Sequence, residues 1–279
     1  MLYVIFFLVC FGASIIGAIC GIGGGVIIKP VLDAFGVHTV ATISFLSGCT
    51  VLSMTTYSVV KSKMSGESHI NQKIGFPLAA GAAVGGLIGK WLFSYVSSMS
   101  ADKGKVGAIQ AICLLIITIG TLVYTIFKQR IKTYQIENTS VCVLIGGFLG
   151  LLSSFLGIGG GPINLVVLFF FFSMNTKTAA ENSLYIIFFS QITSLAATIV
   201  TGSIPPFTIG LLVIMIIGGI AGGIMGRELN KRLSDKLVDK LFIGLMIAMI
   251  LINIYNIYKY HRSYLLSIDK VNRVLLCPA

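Results

Sequence analysis

The chain has 279 residues, 56% of them hydrophobic and only 10% charged, with mean hydropathy +0.97; soluble domains carry about a quarter charged residues, so a soluble enzyme or soluble binding module is excluded. Lysine and arginine (20) outnumber aspartate and glutamate (9), but the excess lies in short connecting stretches and not on one basic face. It reads as topology charge and lipid-headgroup contact, not as nucleic-acid binding.

Apolar runs of about 20 residues, each enough to span a hydrocarbon core of about 30 Å, recur along the whole length and leave no room for a soluble domain. The amino terminus, Met1-Leu2-Tyr3-Val4, lacks the positive region of a cleavable signal and reads as a retained first span. The run Leu2 to Cys20 leads straight into Gly21-Ile22-Gly23-Gly24-Gly25-Val26. Each glycine costs a helix about 1 kcal/mol relative to alanine. The cluster therefore reads as a helix break, after which Val26 to Phe35 forms a half-helix. Its first N–H groups and partial positive charge would make an anion site out of backbone. The alternative is that glycine merely lets two helices pack closely. A turn at Gly36-Val37-His38-Thr39 follows, then a span from Val40 to Val60 closed by Lys61-Ser62-Lys63. A polar connection through Glu67, His69 and Lys73 enters a span from Ile74 to Tyr95. Gly81, Gly85 and Gly89 form a stripe on one face of that span, where another helix can approach. Val106 to Phe127 is the next span, and Lys128-Gln129-Arg130-Ile131-Lys132 is a basic linker.

The plan then returns. Gly157-Ile158-Gly159-Gly160-Gly161-Pro162 follows the apolar run Val141 to Leu156 and precedes a half-helix, Pro162 to Met174. Gly159 stands 136 residues after Gly23, and Gly218, Gly222 and Gly226 repeat the stripe 137 residues after Gly81, Gly85 and Gly89, with Arg227 in the place of Lys90. The runs Ala179 to Val200 and Phe207 to Met225 match the first half if a small insertion lies near Phe170. Pro205-Pro206 marks a tight connection, Arg227 to Lys240 a mixed-charge loop, and Leu241 to Tyr258 the last span. The expected fold is an all-α polytopic membrane protein with about eight full transmembrane helices and two glycine-broken half-helices, in two homologous repeats. The repeats cover 1–137 and 138–258, and the tail 259–279 is amphipathic or disordered. If the half-helices cross the membrane, the two groups of five are inverted and the basic loops share one, cytoplasmic, face; if they do not, the positive charge divides almost evenly.

Catalytic signatures are absent from this pattern. His38, His69 and His261 are far apart, without HExxH or paired carboxylates, so no catalytic residue, metal or cofactor is expected and the chain is not read as an enzyme. Gly89-Lys90 is not a phosphate loop, because Val84 and Trp91 stand where glycine and Ser or Thr are required. Cys10, Cys20, Cys49, Cys113, Cys142 and Cys277 have no CxxC spacing and read as small buried residues, and Cys277 is third from the end, which fails the prenylation pattern.

The substrate-binding candidates are Gly23, Gly24 and Gly25 with Gly159, Gly160 and Gly161, through their backbone, and the polar residues that follow in apolar sequence. Lys29 within the bilayer costs about 3 kcal/mol unless it pairs or lines water, and it suits an anionic guest. Its alternative is a pair with Asp33 at i+4, or snorkelling. Asn164 donates without charge, or bonds a neighbouring helix. Thr42 and Ser44 stand opposite Glu181 and Ser183, and Asn182, Ser183 and Gln191 make the second half richer in polar atoms. Glu181 is either a proton carrier for coupled transport or a helix-start charge beside Lys177.

With both glycine motifs, Pro30, Pro162 and the paired stripes ending Gly89-Lys90 and Gly226-Arg227, the chain resembles the TauE/SafE family of sulfite-exporter-like membrane transporters from Leu2 to about Tyr258. The resemblance implies transport of small sulfur-containing or organic anions such as sulfite, sulfoacetate or related sulfonates. Members often carry a Thr-Ser pair after each motif; here Ile43-Ser44 and Asn182-Ser183 keep the serine and lose the threonine. The expectation is a multi-pass secondary transporter of the cell membrane, coupled to an ion gradient, whose partners are a small anion and the lipid bilayer and not nucleic acid. A homo-oligomer is left open, and the alternatives are a passive anion channel or a membrane-embedded accessory or assembly protein.

Overall fold

The computed structural model describes residues 2–65, 72–99, 103–158 and 160–276, and the side chains of 103–105, 261 and 263–276 are not described. Among the described residues every regular element is helical: α1 Leu2–Cys20, α2 Gly25–Phe35, α3 Val40–Met64, α4 Gln72–Met99, α5 Lys103–Phe127, α6 Thr139–Leu156, α7 Pro162–Phe172, α8 Thr176–Val200, α9 Ile209–Arg232 and α10 Asp235–Leu276, with one 3₁₀ turn at Lys128–Arg130. Eight of these are long and apolar enough to cross a membrane, whereas α2 and α7 have only 11 residues each. At 1.5 Å per residue, 11 residues reach about 16 Å, half a bilayer core.

The short helices fold back on the long ones that precede them. Gly24 opens α2 beside Ser14 and Gly17 of α1, while His38, just past α2, lays its ring edge-on to Phe6 near the start of α1, with centroids 5.9 Å apart. The α1–α2 pair is therefore a hairpin that re-enters from one end. In sequence α7 and α8 show lengths of 11 and 25 residues, the lengths of α2 and α3, separated by three residues instead of four. The insertion expected near Phe170 is not there. Ser47 consequently matches Ser183, and Ser44 matches Ala180, in place of the pairing of Thr42 and Ser44 with Glu181 and Ser183.

The glycine stripes are used inside the molecule. Methyl groups on Gly81, Gly85 and Gly89 of α4 would collide with the carbonyl oxygens of Val143, Gly147 and Leu151 of α6, and on Gly222 and Gly226 of α9 with those of Phe11 and Ile15 of α1. Only hydrogen at these positions lets the backbones touch. The order of these contacts makes α4 parallel to α6 and α9 parallel to α1. Asn230 extends the second seam by donating to the Ile19 carbonyl at 2.5 Å. Further along α9, Gly219 and Gly223 rest on Thr50 and Met54, and the Arg227 guanidinium donates to the Ser58 carbonyl at 2.7 Å, so α3 also runs with α9. Gly86 packs on Ser190 and Thr193, so α8 runs with α4. The start of α5 meets the far part of α10 through Gly107 and Tyr260, and the end of α5 meets the start of α10 through a Lys128–Asp239 ion pair of 2.6 Å, so these two are antiparallel.

Following those directions, α1, α3, α5 and α9 run one way, and α4, α6, α8 and α10 the other. Lys61, Lys63, Lys73, Lys128, Lys177 and Arg227 gather at one end, called here the basic end, while His38, Phe207 and Tyr260 mark the opposite end. Contacts come in exchanged pairs: α4 with α6 and α9 with α1, α4 with α8 and α9 with α3, α5 with α7 and α10 with α2. Helix α10 continues unbroken through the segment expected to be a tail, as far as Leu276.

Candidate functional site

The two glycine segments meet at the centre of the molecule. Helix α1 stops at Cys20 because Gly21 turns left-handed (φ +74°), where a side chain would run into Ala180 of α8. Helix α6 ends in the same manner: Gly157 (φ +64°) and Ile158 donate to the carbonyls of Ser154 and Ser153 at 3.2 and 3.3 Å, closing the helix with a left-handed cap. A methyl on Gly25 would strike the carbonyl oxygen of Ile158 and lie 2.9 Å from Val51 of α3, while one on Gly160 would strike Ile187 of α8. Val51 and Ile187 are 136 residues apart, so each break is held against the other and against one long helix. Helix α2 opens with Gly25, whereas α7 opens with Pro162, whose fixed φ suits a first helical position but which brings no N–H. The first break thus offers more backbone donors than the second. Gly159 lies outside the described residues, as do Glu67, His69 and Cys277.

Lys29 is buried at 3% exposure, but its ammonium is committed elsewhere than to a guest or to the Asp33 side chain proposed for it. It reaches across to the second break and donates to the Leu156 carbonyl and to Gln110 Oε1, both at 2.5 Å, and Gln110 Nε2 donates to the Phe155 carbonyl at 2.6 Å. These are the last carbonyls of α6, the negative end of its dipole, so a cation there is stabilised without a carboxylate. In return, α10 closes α2: Asn256 donates to the Pro30 carbonyl at 2.9 Å, and Lys259 to the carbonyls of Asp33 and Ala34 at 3.2 and 3.0 Å. Neither Gln110, Asn256 nor Lys259 was singled out by sequence reasoning. Their signal was polarity inside the apolar runs of α5 and α10.

The other expected residues distribute as follows. Ser44 faces Gly157, with its hydroxyl 2.6 Å from where a methyl would stand, and Gln191 Oε1 stands 3.0 Å from the corresponding point on Gly48. Asn182 is buried and donates to the Thr178 carbonyl of its own helix at 2.8 Å. Ser183 Oγ and Asn164 Oδ1 are buried without a hydrogen-bond partner among the described residues, and so are the hydroxyls of Ser14, Ser47, Ser153 and Ser154. Ser47 and Ser183 sit one helical turn before Val51 and Ile187, the residues that touch the breaks. Buried polar atoms normally have partners. This cluster of unsatisfied oxygens beside two helix starts is what a polar guest or ordered water would complete.

A cleft of about 470 Å³ opens from the basic end toward this centre. Ser58 and Ser62 of α3, Lys177 and Glu181 of α8, and Arg227 and Lys231 of α9 line it, and Ala18, Ala180 and Leu184 form its inner wall. The Ser62 hydroxyl donates to the Glu181 carboxylate, so Glu181 spans the cleft from α8 to α3. Three cations against one carboxylate make the entrance attractive to anions. Past the inner wall, Ala18, Val51, Met54, Leu184 and Ile187 form an apolar plug.

Eight apolar spans, two re-entrant half-helices and a cleft leading to their tips define a multi-pass integral membrane protein of the transporter class. Residues 6–252 match the model of the family described as Sulfite exporter TauE/SafE, and the chain belongs to that family. A curated relative is the probable membrane transporter protein YunE of Bacillus subtilis (strain 168), 24% identical over 213 residues, 69% of this chain and 76% of the relative. No solved structure matches the chain.

Proposed function

We propose that the protein is a secondary transporter of the cell membrane for small sulfur-containing or organic anions of the sulfite and sulfonate kind, driven by an ion gradient, with the anion held between the two glycine breaks. One observation carries the reading: the start of α2 and the buried, unpartnered oxygens of Ser47, Ser183 and Asn164 converge where the two breaks touch, at the inner end of a cation-lined cleft. Helix N-termini and hydroxyl donors suit an oxyanion. In this reading the hydroxyls turn toward the anion's oxygens, the glycine N–H groups of the first break donate to them, and Lys177, Arg227 and Lys231 concentrate anions at the entrance. Lys29 holds the end of α6 in place and contributes positive potential without contact. Glu181, bridged to Ser62 in the cleft, is the candidate proton carrier. The two sets of five helices, 1–137 and 138–258, are an inverted duplication, and the basic end is cytoplasmic by the charge rule.

A passive channel would need a continuous water path, and the apolar plug of Val51, Leu184 and Ile187 fills the route between the cleft and the far side. An accessory protein using its glycine stripes to bind a partner would need those stripes exposed, and they are spent on α4–α6 and α1–α9. The test is flux of labelled sulfite and sulfoacetate into liposomes holding the purified protein. Saturable flux that responds to a proton gradient is expected; the absence of flux for every small anion tried would overturn the reading.

A further inference from the structure

The cleft at the basic end has a counterpart on the other side of the plug. A void of about 30 Å³ is lined by Ser44, Phe45, Gly48, Lys90, Phe93, Gln191, Ser194 and Thr198 with their neighbours. It is space for one or two water molecules. Its residues match those of the open cleft one for one: Ser194 stands 136 residues from Ser58, Thr198 136 from Ser62, Phe45 136 from Glu181, Lys90 137 from Arg227, and Phe93 137 from Asn230. The helices that carry them exchange in the same way, α3 for α8 and α4 for α9, and the packing pairs of those helices exchange too. Hydroxyls recur at two of the five places and a cation at a third. At the other two, aromatic rings replace polar side chains. Phe45 and Phe93 fill the space that Glu181 and Asn230 leave wet, Phe45 is backed by Phe207 at 5.2 Å between centroids, and Lys90 lies over the Phe93 ring at 5.2 Å.

We propose that this void is a second anion vestibule, facing the opposite side of the membrane and closed in the conformation described. Its ligand groups are Lys90, Gln191, Ser194 and Thr198, its gate is the Phe45–Phe93 pair, and the two vestibules open alternately. The proposal rests on the transporter reading, which requires an exit on the far side. It follows from the geometry that rocking α3 and α4 against α8 and α9, so that the two halves trade arrangements, would widen the small void as it narrows the large one. Arrangements that exchange between inverted halves around a fixed centre are the general route to alternate exposure. A gate of two aromatic rings excludes water when closed, and Lys90 gives the vestibule the same sign of potential as Arg227 gives the other.

Full-length protein without native cysteines, in sealed vesicles of both orientations, carries Ser58→Cys or Ser194→Cys, two matched and nearly isosteric changes. A membrane-impermeant maleimide is added from one side at a time, with no transported anion present. Ser58→Cys is expected to react from the basic end only. Ser194→Cys is expected to react from the opposite end only, at least tenfold more slowly, and Phe45→Ala is expected to speed that reaction at least tenfold. In the double variant, prior blocking of the Ser58→Cys thiol with maleimide from the basic end is expected to suppress labelling at 194 at least tenfold. Failure of Ser194→Cys to react from either side even with Phe45→Ala, reaction from the basic end, or indifference to the blocked cleft would each overturn the second vestibule. Because labelling needs no substrate, liposome flux with that labelling pattern absent removes the vestibule and leaves the transporter. The labelling pattern without flux removes the transporter reading and keeps the alternation.

Discussion

Gly85→Ala tests whether the first glycine stripe holds the fold together. A methyl there would meet the carbonyl oxygen of Gly147 and stand 2.7 and 2.9 Å from that residue's carbonyl carbon and α-carbon, where ordinary contact begins at 3.4 Å. The obstacle is backbone, so no rotamer change relieves it, and α4 must lift from α6 along the seam that also holds Gly81, Gly89, Gly146 and Gly150. Overpacking of this kind costs about 1–3 kcal/mol, and alanine returns up to about 1 kcal/mol through helix propensity. Gly120 supplies the control, because it lies inside α5 with nothing within 4 Å of an added methyl. Gly120→Ala should therefore be neutral or mildly stabilising. Heating the detergent-solubilised protein with a thiol-reactive dye reads unfolding through Cys10, Cys20 and Cys142, which are at most 1% exposed. With each kcal/mol worth about 2–4 °C, Gly85→Ala should lower the midpoint by several degrees relative to Gly120→Ala. Equal midpoints for the two variants would refute the reasoning and return the stripe to a role in binding another protein.

Other consequences are open to direct measurement. Lys29→Met strands the Leu156 carbonyl and Gln110, at about 1–3 kcal/mol for each buried group left unsatisfied. Its main effect should be a lower unfolding midpoint, and a variant of normal stability with a large loss of anion affinity would show that Lys29 is a ligand instead. Gly25→Ala pushes the two breaks apart at Ile158 and should abolish flux even in the fraction that folds; flux above half the parent rate would contradict the contact. Asp239→Asn removes a pair whose side chains are 18% and 24% exposed and which also accepts from Thr176 at 3.1 Å. It should cost about 1 kcal/mol, seen in the same thermal assay, and that loss should shrink in high salt.

Much of the architecture was legible because its signals are local. Spans follow from run length, and the two half-helices from glycine clusters flanked by short apolar pieces, so eight full spans and two 11-residue helices were within reach of the sequence. The stripes at Gly81 and Gly218 announced close packing but not the partner. That depends on which helices the chain folding brings together, and the answer, each half's stripe on the other half's first helix, is a tertiary fact. Lys29 shows the same limit. Its cost in the bilayer could be read from its position, whereas the group that offsets it, the end of α6, lies 127 residues away. Asp33, four residues on, was the nearest partner that sequence spacing could offer. The clefts were invisible for a different reason. Ser58, Ser62, Ser194 and Thr198 look like ordinary polar residues on long helices, and they matter only once α3 and α8 cross at the breaks. The expected insertion near Phe170 arose from aligning serines by eye, where helix lengths keep a register of 136.

Counterflow tests the central claim most directly, because it separates an anion carrier with one alternating site from a pore. Liposomes containing the protein are loaded with unlabelled sulfoacetate or sulfite and diluted into a trace of the same labelled anion, with no ion gradient across the membrane. The account requires a transient accumulation of label above its equilibrium level, which disappears in Gly25→Ala. Label that only equilibrates, at a rate indifferent to the internal load, would contradict it.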